Sequence, residues 1–112
     1  MRLGPMQVAW RSGIVVVSSA GNDGDSLGRL ADPAVDPYVI AVGAADVGQD
    51  RSTGDDTVAD FSSRGDGVRN PDVVAPGVHI ESLTAPGSAI DTAYGGDSFV
   101  LAEAKSFGFQ ML

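Results

Sequence analysis

The 112-residue chain contains no cysteine. This excludes disulfides, thiol nucleophiles and thiolate zinc sites, and leaves the redox compartment open. It also lacks any long apolar run. The longest, around Tyr38–Ala45, falls far short of the ~18–20 residues that span a bilayer as a helix, so no transmembrane helix is expected. Positive charge is scarce, with 7 Lys+Arg against 15 Asp+Glu and a formal net charge of −8. No nucleic-acid partner is expected, because duplex binders need basic surface to displace counterions. No membrane partner is expected either, since an anionic surface disfavours an acidic chain for the same reason. Met1–Gln7 is interrupted by Gly4, Pro5 and Gln7, where a secretory signal would run continuously apolar. If the parent protein is exported, its signal lies elsewhere.

What is present points to a globular chain. Hydrophobic residues make up 43% and charged residues 20%, a balance that separates folded from disordered chains, and the length allows one domain. With 15 Gly and 6 Pro, many tight turns are expected. Pro5–Ser12 suits the last turns of a helix, with Pro in the first turn and Gly13 just past the end in a left-handed conformation. Ile14-Val15-Val16-Val17 is β-branched without alternation, the pattern of a parallel strand covered on both faces. Helix, glycine and buried strand in that order indicate an α/β fold.

Further along, Ser18–Pro37 reads as a long Asp- and Gly-rich loop, a kind that usually carries function. Tyr38–Ala44 is a second strand with little alternation, and Asp46–Asp60 an acidic surface loop. Phe61–Arg64 and Val73–Ala75 read as short extended pieces, the latter closed by Pro76-Gly77 in a type II turn. Val78–Leu83 alternates as a half-buried strand. Ala85–Ser98 is loop-like, and Phe99–Leu112 is ambiguous between helix and strand. There is no internal repeat and no linker between domains.

Asn22 follows the first strand directly. In open α/β sheets ligands bind beyond the carboxyl ends of strands, and a carboxamide there donates two hydrogen bonds without carrying charge. Asn beside Gly also serves simple turns. This segment alone leaves both readings open.

Val15–Gly24, Pro37–Ala44, Phe61-Ser62-Ser63-Arg64-Gly65 and Pro71-Asp72-Val73-Val74-Ala75-Pro76-Gly77 occur in one order and at one approximate spacing. In this the chain resembles the subtilisin-like serine endopeptidases over about residues 7–100. The resemblance implies a partial doubly wound subtilisin-like α/β fold with a parallel central sheet over residues 1–100, followed by a divergent tail at 101–112. It also implies peptide-bond hydrolysis through an acyl-enzyme, with a polypeptide as the substrate of the parent enzyme. By the same resemblance Asn22 is the oxyanion-hole donor. Ser19, Ala20 and Gly21 form one wall of the primary specificity pocket, and Ala31–Ala34, including Ala31 and Pro33, lie near the opposite wall. Asp23 sits at the rim, where a carboxylate favours basic or polar side chains.

The family's catalytic Asp and His precede the oxyanion asparagine, and its Ser follows. About 20 residues precede Asn22 here, too few for the first two. Where the family's Gly-Thr-Ser is expected after Tyr94-Gly95, the sequence reads Gly96-Asp97-Ser98. The expectation is therefore an incomplete segment of a catalytic domain, inactive alone. No cofactor is required for the chemistry, no metal site is assigned to this chain, and structural Ca²⁺ is an option only for the parent. Localisation stays open, although the family is often exported.

Other patterns compete with this reading. Asp50, Asp55, Asp56 and Asp60 supply oxygen ligands of the kind Ca²⁺ takes, but at no EF-hand spacing, and a solvated loop explains them equally. They motivate the alternative function, a non-catalytic module that binds Ca²⁺ or a protein on a hydrolase-derived scaffold. Asp72 resembles a position near a weak cation site in some relatives. His79, the sole histidine, reads as an exposed strand residue, and Ser98 as a loop serine; together they would be the parts of an independent hydrolase. Arg64-Gly65-Asp66 spells the integrin-binding tripeptide, yet the family resemblance already accounts for its first two residues. Gly21–Gly28 lacks the Lys-Ser/Thr of a phosphate loop and the full dinucleotide fingerprint.

Overall fold

A computed structural model describes residues 3–48, 52–82, 86–89 and 99–100 of the chain. Helix α1, Pro5–Arg11, starts on Pro5, whose missing N–H costs a first turn nothing. It closes through the Ser12 N–H on the Val8 and Ala9 carbonyls, and Gly13 follows at φ +79° as expected.

Strands β1 (Val16–Ser19), β2 (Val39–Asp46), β3 (Thr57–Val58) and β4 (Val73–Pro76) make a four-stranded mixed sheet centred on β2. β1 runs parallel to β2 from Val16↔Val39 to Ser19↔Val42, and β4 runs parallel from Val42↔Val73 to Ala45↔Pro76. β3 is antiparallel, pairing Val58 with Ala45 and Thr57 with Asp46. Val42 is thus shared by β1 and β4, and Ala45 by β3 and β4. β1 and β3 therefore follow one another along the same edge of β2. Strands β5 (Glu81–Ser82) and β6 (Phe99–Val100) form a separate antiparallel pair.

The core lies under one face of β2, where Ala20, Leu30, Ala34 and Ala41 form a buried cluster. Along β2, buried Val39, Ala41, Gly43 and Ala45 alternate with half-buried neighbours. The alternation is hidden in the sequence because both faces of this strand are apolar. The long loop between β1 and β2 supplies Leu30 and Ala34, so it is anchored to the sheet.

Several expectations need correction. The first strand begins at Val16 instead of Ile14, and Ile14, Val15 and Val17 are 56%, 60% and 45% exposed instead of covered. Among the described helices, the seven-residue α1 packs beside β1. Phe61–Arg64 is not extended sheet; the Ser62 N–H closes a turn on the Ala59 carbonyl, and Ser62 and Ser63 are buried. The acidic loop contains the unforeseen β3. Pro76-Gly77 is not a type II turn, because Pro76 stays paired in β4 and Gly77 has no left-handed φ. Its N–H donates to the Ala45 carbonyl at 2.9 Å. Glycine is needed there for close approach, since a Cβ would lie 2.7 Å from the Ala44 Cβ.

Of the strand expected over Val78–Leu83, residues 78–80 are not in a strand and Leu83 lies outside the described residues. His79 takes φ +54°, which a pleated strand cannot accommodate, and pairing resumes only at Glu81. Apart from 86–89 and 99–100, the stretches read as loop-like over 85–98 and ambiguous over 99–112 lie outside the described residues, and so does the divergent tail. Among the described residues, no helix is long and apolar enough to cross a membrane.

Candidate functional site

β1 leaves the sheet at its carboxyl end. Its final bond to β2 runs from the Ala20 N–H to the Val42 carbonyl at 2.8 Å. Immediately beyond, the edge of β2 is taken by residues 59–63. The Ala59 N–H donates to the Ala44 carbonyl at 3.0 Å, and the Ala44 N–H donates to Ser62 Oγ at 3.0 Å. With that edge occupied, the chain after Ala20 runs outside the sheet as Gly21, Asn22 and Asp23.

The displaced loop is pinned from two directions. The Ser63 N–H donates to the Gly21 carbonyl at 3.1 Å, the Asp23 N–H donates to Ser63 Oγ at 3.2 Å, and the Gly24 N–H donates to the Phe61 carbonyl at 2.8 Å. From the opposite direction the Ala31 N–H donates to the Ala20 carbonyl at 2.8 Å. Gly21 sits between these clamps at φ +114°. A Cβ there would stand 2.7 Å from Ser63 Oγ and 2.9 Å from the Ala31 Cβ, so both backbone conformation and space require glycine.

Asn22 itself is half-exposed, and its carboxamide makes no hydrogen bond among the described residues. A backbone pinned on both sides thus carries a neutral donor whose N–H groups are unengaged among the described residues. Of the residues expected beside it, Ser19 ends β1 half-buried, Ala20 is buried, Ala31 is half-buried, and Asp23 and Pro33 are exposed. The Ala31 N–H on the Ala20 carbonyl and the closeness of Gly21 to the Ala31 Cβ set these two stretches side by side. Pro33 lies a turn further on, its carbonyl accepting the Asp36 N–H at 2.9 Å.

Three contributing residues carry no local signal in the sequence. Ser62 and Ser63 are 0% and 1% exposed; their segment stood out as a motif, but nothing in it marks small hydroxyl residues as buried acceptors. Arg69 is the third. Its guanidinium donates to the carbonyls of Val39 at 2.8 Å, Ala34 at 3.2 Å, Asn70 at 3.3 Å and Asp36 at 3.4 Å, and to the Asp72 carboxylate at 2.8 Å. It ties the loop carrying Ala31 and Pro33 to the start of β4.

Asp72 accepts the Ala41 N–H at 2.8 Å through its other oxygen. The Arg69 guanidinium first, and the Ala41 N–H second, hold its carboxyl below the usual carboxylate range. Within Arg64-Gly65-Asp66, the Asp66 carboxylate folds back to accept the N–H groups of Arg69 and Val68, which lower its pKa. Arg64 faces Asp25 across an exposed 3.5 Å ion pair.

Among the described residues no three His, Cys, Asp or Glu side chains converge as metal ligands. Asp55, Asp56 and Asp60 are exposed, and Asp50 lies outside the described residues. His79 is exposed, while Ser98, Tyr94 and Gly95 lie outside the described residues.

Comparison with known proteins bears on this geometry. The model of the subtilase family matches residues 2–104. Serine protease AprX of Bacillus subtilis is 49% identical over 89 residues, covering 77% of this chain and 20% of the relative. Subtilisin E of the same organism is 44% identical over 89 residues, covering 78% and 20%. In structure, the prenylagaramide maturation protease PagA aligns with a TM-score of 0.54 at 29% identity, covering 74% of this chain and 27% of that one. The chain spans about a fifth of the length of the curated relatives it matches.

Proposed function

The chain belongs to the subtilase family of serine proteases, and we propose that it is the oxyanion-asparagine segment of a serine endopeptidase domain whose Asp, His and Ser lie outside it. Its fold is a partial subtilisin-like α/β fold with parallel pairing about β2. One observation carries the proposal. Asn22 stands at the carboxyl end of a parallel strand with its backbone clamped on both sides and its carboxamide unengaged.

In the proposed reaction a serine hydroxyl adds to the scissile carbonyl, its proton passes to the parent enzyme's histidine, which later returns it to the leaving amine, and the carbonyl oxygen gains negative charge. The Asn22 side-chain N–H donates to that oxygen. A donor already held in place needs no reorganisation as charge develops, so it stabilises the transition state more than the substrate. The tetrahedral intermediate then expels the amine, leaving an acyl-enzyme that water hydrolyses. The surface of Ser19, Gly21, Ala31 and Pro33, backed by buried Ala20, receives part of the polypeptide substrate, and exposed Asp23 favours a basic or polar side chain nearby.

Two measurements test the reading. The 112-residue chain alone is expected to show no covalent labelling by a fluorophosphonate; labelling lost on Ser98→Ala would overturn the claim that its nucleophile lies elsewhere. A hybrid in which residues 7–77 replace the matching stretch of serine protease AprX is expected to hydrolyse a peptide substrate and to be labelled. A folded hybrid that does neither, judged by circular dichroism, would sink the proposal.

A further inference from the structure

We infer that Ser63 is a positioning residue for the oxyanion donor, holding Asn22 through both of its flanking peptide groups. This rests on the role proposed for Asn22. The Gly21 carbonyl belongs to the peptide plane before the Asn22 Cα, and the Asp23 N–H to the plane after it. Ser63 bonds both, donating its N–H to the first at 3.1 Å and accepting from the second on Oγ at 3.2 Å. Because peptide units are planar, fixing the plane on each side fixes both soft dihedrals at the Cα between them. The Cα–Cβ direction from which the donor projects is then held by a residue 41 positions away in sequence.

The clamp is anchored. Ser63 is 1% exposed, and its neighbour Ser62, 0% exposed, accepts the Ala44 N–H of β2. Adjacent hydroxyls thus join the central strand to the loop. The absent Cβ at Gly21 is what lets Ser63 Oγ approach. A slack loop would leave the donor able to swing away from the developing charge, and misplacement by about 1 Å is enough to erode a well-oriented step.

Ser63→Ala removes the acceptor of the Asp23 N–H while its own N–H still reaches Gly21. In the hybrid enzyme, with kcat counted per site titrated by a fluorophosphonate, this substitution is expected to lower kcat about 10-fold with little change in KM, the scale of one net hydrogen bond. The effect acts through Asn22. In an Asn22→Ala background Ser63→Ala is therefore expected to add less than about 2-fold, since residues working as a unit are non-additive.

An equal factor in both backgrounds, or an unchanged kcat for Ser63→Ala alone, would overturn the positioning role. An Asn22→Ala hybrid with unaltered kcat would instead overturn the oxyanion reading, and this inference with it. Where Ser63→Ala yields no titratable sites, Ser63→Cys carries the same cycle, because sulfur keeps a side chain in place but accepts weakly.

Discussion

Replacing Asn22 by alanine in the hybrid enzyme is expected to lower kcat by about 10²- to 10³-fold and to leave KM nearly unchanged. That factor is the one known for the corresponding donor in subtilisin itself, and is carried over from that relative. The split between the two constants follows from where the bond is made. In the ground state the carbonyl oxygen is nearly neutral and lies away from the oxyanion position, so a half-exposed carboxamide contributes little to binding. In the tetrahedral state the oxygen is charged and the bond strengthens, which places the loss in kcat. Asn22→Asp keeps the side chain's shape but sets a carboxylate against the forming anion, and is expected to be at least as damaging as alanine. Because a carboxamide does not titrate, the factor should stay constant between about pH 6 and pH 9. A rise in KM at constant kcat would mean that Asn22 merely binds substrate.

What the sequence made legible follows from how local each signal is. The end of α1 was readable because Pro5 and Gly13 each act within a single turn, and β2 because Tyr38–Ala45 is a run without charge bounded by Pro37 and Asp46. The position of Asn22 just past the carboxyl end of β1 was readable for the same reason. Ser63 was not, since its role depends on Gly21 and Asp23 about 40 residues earlier. Gly77 was assigned to a turn because Pro-Gly suits one locally, whereas its real constraint comes from Ala44 on the adjacent strand. The exposed Val15 and Val17 show the same limit from the other side. Their β-branched side chains suit a buried strand, but burial depends on what packs against them.

Arg69 gives the second large effect, on stability. In the hybrid, blocked with fluorophosphonate against autolysis, Arg69→Ala is expected to cost about 2–4 kcal/mol, read from urea midpoints at pH 7. The bonds to Val39 and Asp72 at 2.8 Å and to Ala34 at 3.2 Å dominate. Those at 3.3 and 3.4 Å add little. The Arg69 side chain is 24% exposed, so water replaces only part of what is lost, and the carbonyls of buried Ala34 and Val39 are left short of a donor. Arg69→Lys should not restore the loss, because an ammonium cannot fork to acceptors on three sides.

Acid separates the two kinds of bond that Arg69 makes. The folded-state pKa of Asp72 lies below its ordinary value of 3.8, chiefly through Arg69. Its contribution to stability is therefore present above that value and is lost as the pH falls through the folded-state pKa. The gap between wild type and Arg69→Ala should accordingly be constant from neutral pH down to about pH 5 and narrow below about pH 4. The narrowing should be small, since the Asp72 side chain is 44% exposed and screened, whereas the carbonyl acceptors do not titrate. A substitution that costs under about 0.5 kcal/mol, or a gap that widens in acid, would show that the guanidinium is not what joins the loop before β2 to β4.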